Sequence, residues 1–199
     1  REDYKGARHA GIACAIKNTG LGNGLLDIGR VLLVVEAPDR VTAHVGYTEM
    51  GQGLFTVVRQ IVCHEAGLAP ASVQVRTSTE HPVDCGMTTS SRGTTLAGEA
   101  ARRAAVLLRE ALDGGATLEQ LVGERFFGEY LCDVTTKPEE GPHTHMTFGF
   151  ATQVVILDDE GLLERVVAAH DVGRVMNRDL CEGQVEGGVH MGRGYARTE

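Results

Sequence analysis

The sequence of 199 residues predicts an α+β fold in which helices pack on mixed or antiparallel sheets. Two apolar runs rich in β-branched residues are separated by a turn, which indicates a β-hairpin. Two long segments repeat apolar residues with the period of an α-helix, and further strand patterns precede a last, glycine-rich helix. The order hairpin, helix, strand, helix, strands and helix is typical of helices laid against a sheet.

The hairpin comprises RVLLVVEA, residues 30–37, and VTAHVGY, residues 41–47, on either side of the turn PDR. The second strand alternates, so its apolar positions share one face. These positions are Val41, Ala43, Val45 and Tyr47. A third strand is predicted for SVQVRTST, residues 72–79.

Two amphipathic helices are predicted. The first is LFTVVRQIVCHEAGL, residues 54–68, which ends at Gly67. Its buried stripe consists of Leu54, Val57, Val58, Ile61 and Val62. The second begins after the hydroxyl-rich segment TTSSRGTT and ends at Gly114–Gly115. Its inward residues are predicted to be Ala100, Ala104, Leu107, Leu108 and Ala111.

The rest of the chain is predicted to contain a short helix at residues 117–122, a strand at 128–134 and a polar loop at 135–145. Two strands, FATQVVIL and LERVVAAHDV, are joined by the turn DDEG. Asn177 caps a last helix with five glycines. Each of these glycines costs about 1 kcal/mol relative to Ala, which requires a reason other than helix stability.

Composition excludes several classes of protein. The net charge of -8 argues against a nucleic-acid binder, which would carry a basic stripe. No apolar run approaches the roughly 20 residues that cross a bilayer. The five cysteines form no C-x-x-C pair, which indicates free thiols in the cytoplasm. His143 and His145 have H-x-H spacing, but no further ligand residues lie nearby, so no protein-ligated metal is expected.

TEMGQGLF, residues 48–55, places Gly51, Gln52 and Gly53 at a predicted strand-to-helix junction. A helix start has free N–H groups and a positive dipole end, which together bind anions readily. Glycines let a ligand approach the backbone closely. The segment is therefore either a tight turn without further role or a ligand-binding turn in which Gln52 contacts the ligand.

TTSSRGTT, residues 88–95, is a second candidate at the start of the second long helix. Hydroxyls, helix N–H groups and the cation of Arg92 would suit a phosphate. The alternative is a capping segment, because Ser and Thr are favoured there in any case. GQVEGGVHMGRG, residues 183–194, is the third candidate. Its glycines, spaced four apart, permit close approach of either another helix or a flat ligand.

These segments, in this order and spacing, resemble the molybdopterin-binding subunit of the xanthine dehydrogenase/aldehyde oxidase family, also called molybdenum hydroxylases. GIACAIKNTGLGNG, residues 11–24, is also similar, so the resemblance covers nearly the whole chain. It implies a molybdenum-cofactor-binding domain type of α+β fold. Phe55 stands where many members have His, and Arg178 where Pro is commoner, which leaves the subfamily open.

The resemblance also implies residue roles. Gln52, between Gly51 and Gly53, corresponds to a glutamine that hydrogen-bonds the pterin. Gln184 corresponds to a second glutamine at the pterin system. The remaining cofactor-binding positions hold the pterin and phosphate portion, and they are Thr88, Ser90, Ser91, Arg92 and Gly93.

The implied function is oxidation or hydroxylation of a small aza-aromatic or aldehyde substrate by a molybdenum hydroxylase. The cofactor is expected to be molybdopterin, as a dinucleotide, with Mo held by the pterin and not by side chains. A [2Fe–2S] centre and FAD are expected on partner domains or subunits. The catalytic Glu of the family is expected beyond Glu199, so no catalytic residue is assigned here and the chain alone is expected to be inactive.

Residues 1–199 are accordingly expected to be part of a longer cofactor-binding region, as one domain or as two subdomains with a boundary near residues 115–145. Two alternatives stay open at this point. One is a nucleotide- or phosphate-binding module, which could use the same glycines and hydroxyls. The other is a non-catalytic structural subunit without molybdenum chemistry.

Overall fold

The computed structural model describes residues 2–22, 24–136 and 145–198, and the chain forms two compact units. The larger unit is Thr19–Met146, and the smaller unit combines Arg1–Asn18 with Thr147–Glu199. The chain leaves the larger unit after Met146. A subdomain boundary near residues 115–145 stays a prediction.

The larger unit contains a four-stranded mixed sheet. Its strands are β2 (Ile28–Ala37), β3 (Arg40–Val45), β4 (Val73–Thr77) and β5 (Arg125–Leu131), in the order β4-β3-β2-β5. β2 pairs with β3 and with β5 in antiparallel fashion, whereas β3 and β4 are parallel. The predicted hairpin and the predicted mixed sheet are confirmed.

The core lies on the face of the sheet that the alternation in β3 predicts. Val41, Ala43 and Val45 are fully buried, as is Tyr47 just beyond the strand. They pair with the equally buried apolar positions of β2, in the register Leu33 opposite Ala43. Residues i and i+2 of a strand share a face, so one row of small and β-branched side chains on each strand builds this half of the core.

α2 (Leu54–Ala66) and α3 (Gly93–Asp113) cover this face of the sheet. All five residues of the predicted α2 stripe are buried, and the helix ends at Gly67 in the left-handed conformation, with φ of 68°. A short 3₁₀ turn at Pro70–Ser72 then leads into β4. The predicted stripe of α2 is confirmed, and the prediction succeeded because the apolar residues of this helix repeat with the helical period on one face.

The inward face of α3 was predicted only in part. Ala100, Ala104 and Leu108 are buried as expected. Leu107, by contrast, is 44% exposed, so its predicted inward position is wrong, and Ala111 is only half-buried. The buried stripe also contains Ala97, Ala101 and Ala105, which rotates it away from Leu107.

Two glycines let the backbone of α3 lie directly on the sheet. A Cβ on Gly29 of β2 would come within 2.1 Å of the Leu96 carbonyl oxygen, and one on Gly128 of β5 within 2.0 Å of the Ala100 carbonyl oxygen. Both distances are far inside van der Waals contact. Glycine on the strands and alanine on the helix therefore set how closely α3 approaches, and hence where its first turn lies.

Two further predictions in this unit are corrected. Residues 117–122 form turns and not the predicted short helix, held by bonds such as the one from the Leu121 N–H to the Thr117 carbonyl. The expected polar loop begins with the one-turn helix α4 (Asp133–Thr136). Most of the remainder of that loop, residues 137–144, lies outside the described residues.

The smaller unit contains α1 (Glu2–Gly6), β1 (His9–Thr19), β6 (Thr147–Leu157), β7 (Leu163–Asp171) and α5 (Arg178–Arg197). Its sheet has the order β1-β6-β7, with β6 and β7 antiparallel. The Asn177 side chain accepts from the Leu180 N–H at 3.0 Å, which confirms the predicted cap of α5. Sequence periodicity did not identify β1, although the family resemblance included its segment.

No helix within residues 2–22, 24–136 and 145–198 combines the length and the apolar character that a membrane span requires.

Gly29→Ala is expected to lower the free energy of unfolding by about 1–3 kcal/mol or more, because the new methyl group overlaps the Leu96 carbonyl and forces α3 away from the sheet. Gly11→Ala is the matched control, since a Cβ at this exposed position of β1 meets no atom within 4 Å. Urea unfolding of both variants makes the comparison. Equal effects at the two positions would contradict the close contact.

Candidate functional site

The start of α2 is stabilised by a carboxylate from the preceding turn. Glu49 Oε1 accepts from the N–H groups of Gly51 and Gly53, both at 2.9 Å, and Oε2 accepts from the Phe55 N–H at 2.9 Å. The sequence predicted that these N–H groups would be available to an anionic ligand. That expectation needs correction, because Glu49 supplies the anion from within the chain.

The ionisation of Glu49 follows from these bonds. Burial of the carboxylate opposes its charge, but the N–H groups of Phe55, Gly53 and Gly51 outweigh it and hold the pKa of Glu49 below its ordinary value. Glu49 is thus a structural anion at neutral pH. The sequence signal that could have identified it is an acidic residue just before a glycine-rich helix start.

Gln52 closes the turn in which it lies. Its side-chain oxygen accepts from the Met50 N–H, and its Nε2 donates to the Thr48 carbonyl at 2.8 Å. An amide has two N–H donors and two lone pairs, so half of the capacity of Gln52 remains for a ligand. Gly51 and Gly53 have φ of 97° and 82°. These left-handed conformations are the reason for glycine on both sides of Gln52.

The segment Thr88–Gly93 lies beside this turn. Thr88 Oγ1 accepts from the Thr48 N–H at 2.9 Å, which joins the two segments directly. Gly93, the first residue of α3, lies against Leu54, the first residue of α2; a Cβ on Gly93 would be 3.3 Å from the Leu54 Cδ1. Two of the three predicted segments therefore come together at adjacent helix starts.

The available donors are found at the start of α3. Ser90 and Ser91 take left-handed φ values of 58° and 54°, and neither hydroxyl is hydrogen-bonded to any described residue. The first turn of α3 contains no acidic residue, and its N-cap makes no side-chain hydrogen bond. This end of α3 thus combines free hydroxyls with an uncapped helix dipole, whereas the start of α2 is already capped.

Arg92 points inward and not toward a ligand. Its side chain is fully buried, and its Nη1 donates at 3.1 Å both to Asp27 Oδ1 and to the Leu26 carbonyl. Three further donations go to carbonyls of its own loop, and the guanidinium lies 5.5 Å from the centre of the Tyr47 ring. The expectation that Arg92 adds a cation for a phosphate is therefore replaced by a role in shaping the loop.

Asp27 is the partner that sequence reasoning missed. Its fully buried carboxylate accepts from the Leu21 N–H at 3.0 Å and from Thr135 Oγ1 at 2.6 Å, in addition to Arg92. Burial alone would raise the pKa of Asp27, but the bonds from Thr135, Leu21 and Arg92 lower it below its ordinary value. No local motif marks this residue, because its side-chain partners Arg92 and Thr135 lie 65 and 108 positions away in the sequence.

Gln184 belongs to the smaller unit, where it is exposed on α5. At the α5 glycines Gly183, Gly187, Gly188 and Gly192, an added Cβ would meet no described atom within 4 Å. Close helix packing among the described residues therefore does not explain these glycines. A cavity of about 650 Å³ between α5 and the strands β6 and β7 is lined by residues such as Val166 and Arg193, and Gln184 is not among them.

A metal site made of side chains and an activated Cys85 thiol are two further possibilities that the described residues do not support. Among them, no three His, Cys, Asp or Glu side chains are grouped as metal ligands, and His143 lies outside the described part of the chain. Burial raises the pKa of the Cys85 thiol, which is opposite to what an activated nucleophile needs.

Comparison with known families gives one match that covers the chain. A family model described as a molybdopterin cofactor-binding domain matches residues 1–122 and 115–199. Every predicted cofactor-binding residue falls within one of these two ranges.

Relatives of known description agree with this match. The chain is 27% identical over 233 residues to the xanthine dehydrogenase molybdenum-binding subunit of Escherichia coli, covering 96% of this chain and 30% of the relative. It is 38% identical over 104 residues to 6-hydroxypseudooxynicotine dehydrogenase complex subunit gamma of Paenarthrobacter nicotinovorans, covering 52% of this chain and 13% of that subunit. The chain thus spans less than a third of the length of these relatives.

A solved structure shares the fold. The aldehyde oxidoreductase of Desulfovibrio desulfuricans superposes with a TM-score of 0.76 at 21% identity, over 94% of this chain and 22% of that one. At this identity the likeness concerns the fold, and it supports the predicted α+β architecture.

Glu49→Gln is expected to lower the free energy of unfolding at pH 7 by about 1–2 kcal/mol, because three N–H groups lose a charged acceptor. The folded pKa of Glu49 lies below its unfolded value of about 4.3, so the stabilisation is present above that pH and is lost as pH falls through the folded pKa. The difference from wild type should therefore shrink toward about pH 3.

Urea unfolding across this pH range measures the effect of Glu49→Gln. Glu119→Gln is the control, because Glu119 is exposed and has no side-chain partner among the described residues. A difference from wild type that is the same at every pH would contradict the role of Glu49 as a charged cap.

Proposed function

The chain belongs to the molybdopterin cofactor-binding domain family, and on that premise we propose that it grips the cofactor at the adjacent starts of α2 and α3. The observation that carries the proposal is the join between the two predicted loops, the 2.9 Å bond from the Thr48 N–H to Thr88 Oγ1. This bond joins the turn that contains Gln52 to the segment that contains Ser90 and Ser91, and we treat their polar groups as one donor set.

The donor set fits a pterin with an attached phosphate. The free half of the Gln52 amide suits the ring edge of a pterin, which carries both donors and acceptors. The hydroxyls of Ser90 and Ser91, with the first N–H groups of α3, suit the phosphate. Gly93 lets Leu54 of α2 pack against this helix start. Thr88 fixes the spacing of the two halves.

Arg92 and the glycines enter the proposal as supports of the backbone. Arg92 fixes the loop that precedes α3 by donating to its carbonyls from the buried side. Gly51 and Gly53 adopt the left-handed conformations of the turn that contains Gln52. Gln184, exposed on α5 of the smaller unit, is proposed as a pterin contact on the family resemblance alone. We propose that molybdenum is held by the pterin itself and not by a side chain of this chain.

The chemistry of the bound cofactor would be two-electron oxidation of a substrate with oxygen derived from water. The residues of this chain bind and orient the cofactor, and we assign none of them to proton transfer. The carboxylate of Glu49 already occupies the N–H groups at the start of α2. The start of α3 is therefore the proposed anion-binding end of the site.

For the whole protein we propose a molybdenum hydroxylase of the xanthine dehydrogenase/aldehyde oxidase type. The substrate class would be a small aza-aromatic compound or an aldehyde, and the cofactor form a dinucleotide. Electrons would leave through iron–sulfur and flavin domains or subunits. The support is the family match together with relatives named as dehydrogenase subunits. All five cysteines are free, which supports a cytoplasmic location.

The test is the cofactor content of the full-length protein. Molybdenum by elemental analysis and pterin by fluorescence should each be found at about one per chain. A protein that binds nucleotides or phosphate but carries neither molybdenum nor pterin would refute the proposal in favour of a simple phosphate-binding module.

Gln52→Ala is expected to reduce the molybdenum and pterin content of the folded protein by about tenfold, because the turn loses both its own closing bonds and its contact to the ligand. Gln74→Ala is the matched control: Gln74 is an exposed glutamine of β4 whose amide bonds only to Arg76 among the described residues. Equal cofactor content in the two variants would exclude Gln52 from the site.

A further inference from the structure

We propose that Asp27 is a positioning residue that sets how tightly the cofactor is held, by fixing the Thr88–Gly93 loop through Arg92. This rests on the function proposed above and deepens it. Asp27 lies outside the three glycine- or hydroxyl-rich segments, and nothing in its own neighbourhood in the sequence points to a ligand. The inference comes from the contacts that converge on its carboxylate.

Arg92 fixes the loop at residues 85–89 through hydrogen bonds from its buried guanidinium. Its Nε donates to the Thr89 carbonyl at 3.3 Å, and its Nη2 donates to the carbonyls of Cys85 and Met87. One planar guanidinium thus fixes three carbonyls of residues 85–89 at once. Its orientation is determined by its partner, because Nη1 donates to Asp27 Oδ1 at 3.1 Å.

Asp27 also reaches the loop through the turn at residues 20–22, and its bonds to this turn and to Arg92 are together called the Asp27 clamp. Asp27 accepts from the N–H groups of Leu21 and Gly22 and so holds a turn that begins at Gly20. The N–H of Gly20 in turn donates to the Ser90 carbonyl at 3.1 Å. Gly20 has φ of 111°, and a Cβ there would come within 2.9 Å of Asp27 Oδ2. The Asp27 carboxylate is therefore connected to the loop by two routes, one through the Arg92 guanidinium and one through the Gly20 N–H.

The bonds of the Asp27 clamp maintain the conformation of the loop. Ser90 and Ser91 are consecutive non-glycine residues with left-handed φ, an arrangement that a free loop would leave. Their hydroxyls, which bond to no described residue, keep their positions only while this conformation lasts. A loop with the same sequence but without the Asp27 clamp would keep its hydroxyls and lose their arrangement.

The ion pair could position the loop for the cofactor or could serve stability alone, and these two roles predict different cofactor contents. Removing one partner of a buried pair leaves an uncompensated charge and destabilises the fold, whereas replacing both by apolar residues of similar volume is often tolerated. A variant without either charge avoids the unpaired charge but still removes the hydrogen bonds to the loop, so its cofactor content is measured per folded chain. Positioning predicts that such a variant still loses cofactor, and a structural role predicts that it does not.

The experiment compares Asp27→Asn, the double variant Asp27→Leu with Arg92→Met, and Thr135→Val in the full-length protein. Thr135→Val removes one donor to Asp27 and leaves no charge unpaired. Asp113→Asn is the control, because it breaks an exposed ion pair with Arg109 in the same unit. Molybdenum and pterin are measured per folded chain, with the thermal midpoint. Amide hydrogen exchange is followed at residues 20–22 and 88–93 of cofactor-free protein.

The expected result is about a tenfold loss of cofactor per folded chain in the double variant, with a smaller loss in Thr135→Val and none in Asp113→Asn. The thermal midpoint of the double variant should fall, because the N–H and carbonyl partners of the ion pair lose their hydrogen bonds. Exchange should be faster in residues 20–22 and 88–93 and unchanged in α2. Wild-type cofactor content in the double variant would overturn the inference, and so would unchanged exchange in the loop. Absence of molybdenum and pterin from the wild type would instead refute the proposed function, while the exchange measurement would still decide whether the clamp exists.

Discussion

The ion pair between Arg92 and Asp27, with both side chains fully buried and 3.1 Å between Nη1 and Oδ1, is the interaction on which the candidate site depends. Two charges in a protein interior are tolerated only when their remaining donors and acceptors are also bonded. Here that requirement links residues 21–27, the loop at 85–93 and α4 to one centre. The same bonds that make the pair tolerable fix the backbone around the candidate ligand donors.

The packing of the sheet places this centre at the starts of the two long helices. α3 lies on β2 and β5 where Gly29 and Gly128 leave no side chain between backbone and backbone. α2 packs beside α3, so that Leu54 and Gly93 touch. Close packing of small residues therefore fixes the position of the helix starts, and the polar network fixes the loops in front of them. The two helix starts then differ in one respect that matters for binding, since only the start of α2 carries its own carboxylate.

The fold could be predicted from the sequence wherever one face of an element is buried. The stripe of α2 and the alternation of β3 gave the correct core residues because each element has a single apolar side. Leu107 was misassigned because α3 packs through alanines, which add little to an apolar pattern, and its buried stripe is therefore hard to orient from periodicity. The segment at 117–122 has helix-like composition, but six residues are too few to offset the cost of helix nucleation. The segment therefore forms hydrogen-bonded turns.

The sequence by itself determined the α+β class, the buried faces of α2 and β3, the cap of α5 and the motifs that place the chain in its family. Each of these is recorded in residues close together along the chain. Only the tertiary structure decided which charges face a ligand. Arg92, a candidate phosphate cation by sequence, turns inward to a residue 65 positions away, and Glu49 occupies the helix start that looked free. Burial and long-range hydrogen bonding set the role of an ionised group, and neither is encoded in local periodicity.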